Sequence, residues 1–228
     1  MKIAMINGQN HKGSTYHIGK MLADKLGGEV TEFFLPRDFG HFCVGCNQCI
    51  VKDEKLCPYY KELKPLTEAI DSADVIILTS PVYVYHCTGS MKAWLDHYGY
   101  RWMLHRPNPD MFSKQGVCIS TAGAGMKWTN KDMADSMFFW GMGKIYRYGT
   151  AAHALNYKSI SPKKMEEIEK ATDKLAEKIR RNYGHVKPGL KTKAYFEVMR
   201  KLVKSGWNEV DVAYWKEHGW TEKARPWK

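Results

Sequence analysis

The sequence predicts a doubly wound α/β fold built on a five-stranded parallel sheet. Three observations carry that prediction. Short apolar, β-branched runs recur between segments whose apolar residues return every three to four positions. Turns rich in glycine and hydroxyl residues, rather than tight hairpin signals, follow the runs. Strands alternating with helices in this way call for right-handed crossovers, with helices on both faces of one sheet. At 228 residues and 44% hydrophobic content, the chain is long enough to bury such a core and carry an appendage.

KIAMIN (2–7) is the first strand, and GQNHKGST (8–15) turns into a helix whose Ile18, Met21, Leu22 and Leu26 share a face until Gly27 and Gly28 end it. EVTEFFL (29–35) is the second strand and leads into a cysteine-rich loop. A helix is expected over about 59–72, with Leu63, Leu66 and Ile70 on one side. ADVIILTSP (73–81) is continuous, β-branched and closed by Pro81, the pattern of a strand buried on both faces. A helix is expected from Gly89 to about Leu104, then a strand and glycine-rich loop in GVCISTAGAG (116–125), a helix near 129–140 and a weaker strand near 144–153. Ser161-Pro162 starts the last helix of the series, Met165, Ile168, Thr172, Leu175 and Ile179 face inward, and Gly184 stops it.

These elements delimit a domain over residues 1–186. Residues 187–228 read as an extension, with Tyr195, Phe196, Met199, Leu202 and Val203 at helical spacing and Trp207, Tyr214, Trp215, Trp220 and Trp227 beyond them. So many aromatics are expected to pack on the chain's own domain or on a partner subunit.

The net charge of +11 is uneven: residues 1–150 hold 17 Lys+Arg against 14 Asp+Glu, residues 151–228 hold 18 against 10. No nucleic-acid docking motif accompanies the basic tail, so no nucleic-acid partner is expected; a binding module built on the tail would show salt-sensitive binding without any cofactor. No apolar run approaches the roughly 20 residues of a membrane span. MKIAMING passes directly from a short strand into a turn and does not read as a signal peptide, so a cytoplasmic, reducing setting is expected. Six cysteines there point to metal or redox use rather than to a disulfide framework.

Ligands of open parallel sheets bind beyond the carboxyl ends of the strands. Three loops leave the sheet at that edge. Residues 8–15 place small and hydroxyl residues at a helix start, where free N–H groups attract phosphate, with His11 or Lys12 to add charge. Residues 80–92 (SPVYVYHCTGSMK) offer a proline turn and two tyrosines that could wall a planar ring; His86 in the same loop could hydrogen-bond a cofactor, although it reads equally as a satisfied or surface histidine. Residues 121–125 (TAGAG) are nearly bare backbone, free to approach a ligand. Each loop alone also reads as ordinary turn structure; together they supply a phosphate cradle, an aromatic wall and a donor surface, a set that suits flavin mononucleotide (FMN).

On GQNHKGST, SPVYVYHCTGSMKAWLD (80–96) and the cysteine cluster, the chain resembles the flavodoxin-like NAD(P)H-dependent FMN reductases, and within them the iron–sulfur flavoproteins, over about residues 1–182. The resemblance implies the strand order 2-1-3-4-5. It also implies that Gly8, Asn10, Gly13, Ser14 and Thr15 surround the FMN phosphate, with His11 or Lys12 compensating its charge. Pro81, Val82, Tyr83 and Tyr85 would line the ring and ribityl chain; Thr121, Ala122, Gly123 and Gly125 would approach the ring's polar edge. This chain departs from the family in its first loop, where Gln9-Asn10-His11 stand in place of the usual Ser-Pro-Arg.

Cys43, Cys46, Cys49 and Cys57 are spaced C-x2-C-x2-C-x7-C before Pro58. Ferredoxin-type runs begin alike but close sooner. Three readings stay open: one [4Fe–4S] cluster, which the resemblance favours, a zinc site, or unoccupied thiols. Cys118, inside a strand, reads as a buried apolar residue. The expected function is an FMN-dependent NAD(P)H oxidoreductase, acting as a homodimer or homotetramer on a small-molecule donor and acceptor. With a cluster, electrons would pass on to a ferredoxin-like carrier. The rival is a non-enzymatic flavodoxin-type electron carrier, against which the basic charge argues.

Overall fold

The computed structural model describes residues 1–154 and 156–228. Strands β1 (Lys2–Asn7), β2 (Glu29–Phe34), β3 (Val75–Thr79), β4 (Gln115–Thr121) and β5 (Lys144–Thr150) form one sheet in the order β2-β1-β3-β4-β5. Every pairing is parallel. Fold class and strand order are those expected. The helices are α1 (Ser14–Leu26), α2 (Gln48–Val51), α3 (Tyr60–Ser72), α4 (Gly89–Asp96), α5 (Met126–Phe139), α6 (Pro162–Asn182), α7 (Leu190–Lys204) and α8 (Glu209–Glu217).

The two-residue period of a strand sends alternate side chains to opposite faces. In β1, Ala4 and Ile6 join Leu63, Trp94 and Met137 under α3, α4 and α5, whereas Ile3 and Met5 join Ile18, Leu22 and Ile168 under α1 and α6. Helix α1 lies close to the sheet because Gly19 faces it: a Cβ there would stand 2.6 Å from Thr79 Cγ2 and 2.7 Å from Met5 Cε.

Two expectations needed adjustment. The helix from Gly89 ends at Asp96 rather than near Leu104, and a single 3-10 turn follows at Gly99–Arg101. The chain turns there because Tyr98 and Tyr100 bury their rings in the core and Arg101 reaches back to Asp71. The tail holds a second helix, α8, whose start is capped by Asn208 accepting from the Val210 N–H at 3.1 Å. Phe196, Trp215 and Trp220 pack with Met103 and Phe112 into a third apolar cluster. Among the described residues no helix is long and apolar enough to cross a membrane.

Candidate functional site

A cleft of about 470 Å³ opens at the carboxyl rim of the sheet, between the start of α1 and the loops after β3, β4 and β5. Its floor is polar and tied together. The Thr79 hydroxyl donates to Asn7 Oδ1 at 2.7 Å, and Asn7 Nδ2 donates to the Phe33 carbonyl at 3.0 Å. The buried hydroxyls of Thr15 and Thr121 bond each other at 2.5 Å across 106 residues of sequence.

On one side the cleft meets the first turn of α1. Gly13 is the N-cap, no side chain bonds the turn's free N–H groups, and the turn has no acidic residue. Those N–H groups and the macrodipole are therefore available to an anion. Lys12 lies over the Tyr16 ring with its Nζ 5.2 Å from the centroid, and His11 also lines the cleft.

The opposite wall is built by interlocked loops. The Gly8 carbonyl accepts from Thr88 Oγ1 at 2.7 Å and from Ser90 Oγ at 3.0 Å, tying the first loop to the start of α4. The Val82 N–H donates to the Thr121 carbonyl at 3.2 Å. Gly125 has φ +84°, and a Cβ there would sit 2.8 Å from Val82 Cγ1 and 3.1 Å from Tyr85 Cα, so the contact requires glycine.

Between these loops residues 83–86 make a two-residue turn closed by Tyr83 and His86, which exchange N–H···O bonds of 2.9 and 3.0 Å. Both central residues are left-handed, Val84 at φ 47° and Tyr85 at φ 68°. Such a turn normally takes Asn-Gly, and a β-branched residue there is strained. Asp132 holds its far end, accepting from the Cys87 N–H at 3.0 Å and pairing with His86 Nδ1 at 3.1 Å. Val84 is 93% exposed at the tip.

Of the residues expected at the site, His11, Gly13, Ser14, Thr15, Pro81, Tyr83, Thr121, Ala122 and Gly123 line the cleft. Gly8, Asn10, Val82, Tyr85 and Gly125 do not: Gly8 is buried beneath the first loop, Asn10 points to solvent, and the other three form the wall's outer packing. His86 is turned toward Asp132. Sequence reasoning missed Asn7, Tyr16 and Thr79, and with them the fourth loop, where Ala152, His153, Ala154, Asn156 and Tyr157 line the cleft. The signal was available, because β5 ends at the same rim as β1, β3 and β4. Gln9 also lines the cleft and donates from Nε2 to the Tyr83 hydroxyl.

A second feature lies beside α4. Cys43, Cys46, Cys49 and Cys57 all line a small cavity of about 120 Å³, together with Pro58, Tyr59 and His97. Cys43 and Cys46 are exposed, whereas burial and the three neighbouring thiols push the Cys49 thiol up to about 11. Burial also raises Cys57. His97 Nε2 is 3.2 Å from the His41 carbonyl, which places its proton there and leaves Nδ1 to accept from Cys57 Sγ at 3.8 Å. Among the described residues, no three Cys, His, Asp or Glu side chains are gathered about one point as a single ion needs. Cys87 and Cys118 lie buried elsewhere, Cys87 pushed up to about 12 by burial.

Comparison with known proteins gives a consistent result. An iron–sulfur flavoprotein of Archaeoglobus fulgidus is 30% identical over 106 residues, covering 45% of this chain and 44% of the relative, so the match spans less than half of that relative's length. One from Methanosarcina thermophila is 29% identical over 149 residues, covering 62% of this chain and 75% of the relative. In structure, the NAD(P)H:quinone oxidoreductase of Methanothermobacter marburgensis superposes with a TM-score of 0.59 at 16% identity over 76% of this chain and 94% of the other. An FMN-dependent NADH-azoreductase from Bacillus anthracis, in complex with FMN, gives 0.55 at 11% identity over 77% of this chain and 100% of the other. At such identities the structural likeness speaks for the fold. The family description "NADPH-dependent FMN reductase" matches residues 1–155, and the chain belongs to that family of oxidoreductases.

Proposed function

We propose that the chain binds FMN in the rim cleft and acts as an NAD(P)H-dependent oxidoreductase. The observation that carries this reading is the cleft itself: an uncapped helix start at one end, a tyrosine turn and bare backbone at the other, and a floor of satisfied polar groups between them. Gly13, Ser14 and Thr15 would hold the phosphate through the first turn of α1, with His11 and Lys12 near its charge. Pro81 and Tyr83 would flank the ring, and the 121–123 backbone would face its polar edge. When bound, the flavin supplies the redox chemistry, taking a hydride from reduced nicotinamide and returning electrons to an acceptor singly or in pairs.

The protein's part is to bind and orient. The Thr15–Thr121 pair joins the phosphate end of the cleft to the ring end by tying α1 to the end of β4. The strained turn at Val84-Tyr85 holds Tyr83 at the mouth, where Gln9 fixes its hydroxyl. Strain of this kind persists only where the surroundings enforce it, and Asp132 does so here.

In the same reading Cys43, Cys46, Cys49 and Cys57 hold a [4Fe–4S] cluster, supported by their convergence on one cavity and by relatives that carry the name iron–sulfur flavoprotein. Such a cluster would exchange single electrons with a ferredoxin-like carrier. The reading further includes a division at residues 186/187, a homodimer or homotetramer, and a cytoplasmic setting.

The test is anaerobic purification followed by absorption spectroscopy, FMN titration, iron and sulfide analysis, and turnover of NADH or NADPH with a quinone. Paired near-ultraviolet and blue bands, with steady turnover, are expected. A chain that takes up no added FMN removes the proposal, and one that binds FMN without turnover leaves it an electron carrier.

A further inference from the structure

The C-terminal helices reach the four-thiol loop through one buried charge. Asp211, in the first turn of α8, has no solvent exposure, and both of its oxygens are engaged. Oδ1 accepts from Arg106 Nη1 at 2.7 Å, and Oδ2 pairs with His105 Nδ1 at 2.7 Å. The Arg106 guanidinium, 8% exposed, turns its remaining donors to the loop: Nη1 to the Ile50 carbonyl at 3.0 Å and Nη2 to the Cys49 carbonyl. Asn208, the cap of α8, adds a bond from Nδ2 to the Ile50 carbonyl at 3.2 Å.

We propose that Arg106, oriented by Asp211, is a positioning residue that fixes the backbone at Cys49 and so aims its thiol into the shared cavity. The inference rests on the reading of this loop as the cluster-holding element. Helix α2 is only four residues long and has no fully buried residue, so its own hydrogen bonds give it little independent stability. Its last carbonyls have no partner within the helix, and a cation there is favoured by both hydrogen bonding and the helix dipole. A guanidinium suits the task because its planar fork can bond a carboxylate and two carbonyls at once. A lysine ammonium is a point charge that cannot match that geometry. Asp211 sets the direction of the fork, since a buried arginine without a carboxylate would be left uncompensated. Cys49 is thus held from the C-terminal helices and Cys57 from His97 beyond α4, while Cys43 and Cys46 lie on exposed backbone.

The test compares the full-length chain with Arg106→Lys and Asp211→Asn, reduced and metal-free, by the rate at which iodoacetamide alkylates Cys49. Buried Cys87 and Cys118 serve as internal references. Loss of the fork should raise the Cys49 rate roughly tenfold in Arg106→Lys, as expected for a charge-assisted bond expressed as an opening equilibrium, and less in Asp211→Asn. Tryptophan fluorescence and FMN affinity should be unchanged. Iron retained after anaerobic reconstitution should fall in the same order. If the parent chain takes up no iron, the cluster reading fails while the alkylation rates still decide the clamp. A Cys49 rate equal to that of the parent in Arg106→Lys overturns the proposal. So does loss of the tryptophan signature in either variant, because that would give the buried charge a purely structural role.

Discussion

In the rim cleft, the polar groups are carried by elements the sheet holds in place: Asn7 and Thr79 on adjacent strands, Thr15 on α1 and Thr121 at the end of β4. In the thiol loop, residues 40–47 belong to no helix or strand, residues 41–47 are all exposed, and two of the four cysteines lie on them. The cleft is shaped by folding alone. The loop brings its four thiols to one small cavity, with outside ties at Cys49 and Cys57. A pocket set by the sheet and a group of thiols on a loosely tied loop thus sit within one chain and place different demands on its stability.

The comparison can be tested from either side. The largest expected effect is in the loop: because the Cys49 thiol is pushed up to about 11, its alkylation should accelerate about tenfold per pH unit from pH 8 until the thiolate forms near that value. A plateau near pH 9, read by mass spectrometry, would mean that burial does not hold the Cys49 thiol in its protonated form. On the cleft side, Ser14→Glu sets a carboxylate where an anion is expected and should weaken FMN binding about a hundredfold, with the alkylation pattern untouched. Fluorescence titration checks this, and unchanged affinity would remove α1 from the site. Cys57→Ser should abolish iron retention while sparing flavin affinity; if both fall together, cleft and loop are not independent. Thr15→Val leaves the Thr121 hydroxyl without its partner and should cost about 1–3 kcal/mol in denaturant unfolding. The smallest effect is a gain. Val84→Asn with Tyr85→Gly relieves two left-handed backbones and should add about 1 kcal/mol, with weaker substrate binding if the strained turn serves the cleft.

How much of this was legible beforehand follows from what each residue's surroundings contribute. Strands β1, β3 and β4 are buried runs whose composition alone marks them, and α6 announces itself through Ser161 and Pro162, with the Ser161 hydroxyl accepting from the Lys164 N–H at 3.3 Å. The sequence carries the α4 expectation on to about Leu104, whereas the helix stops at Asp96 and the turn beyond it is fixed by Arg101 reaching Asp71 on a distant helix. At the cleft, glycines and hydroxyls were found because they sit in visible turns. Asn7 and Thr79 escaped because a polar residue closing an apolar strand looks like a boundary, and only the sheet register sets the two side by side. The Arg106–Asp211 pair spans 105 residues, and nothing local marks it.

Gly125 shows how finely the cleft's width is set. With Val82 and Tyr85 resting against its bare α-carbon, a single methyl would act as a wedge between two loops that otherwise close on each other. Alanine at that position would lever the tyrosine turn away from the rim, so the aperture offered to a flat ligand is governed by one missing carbon atom.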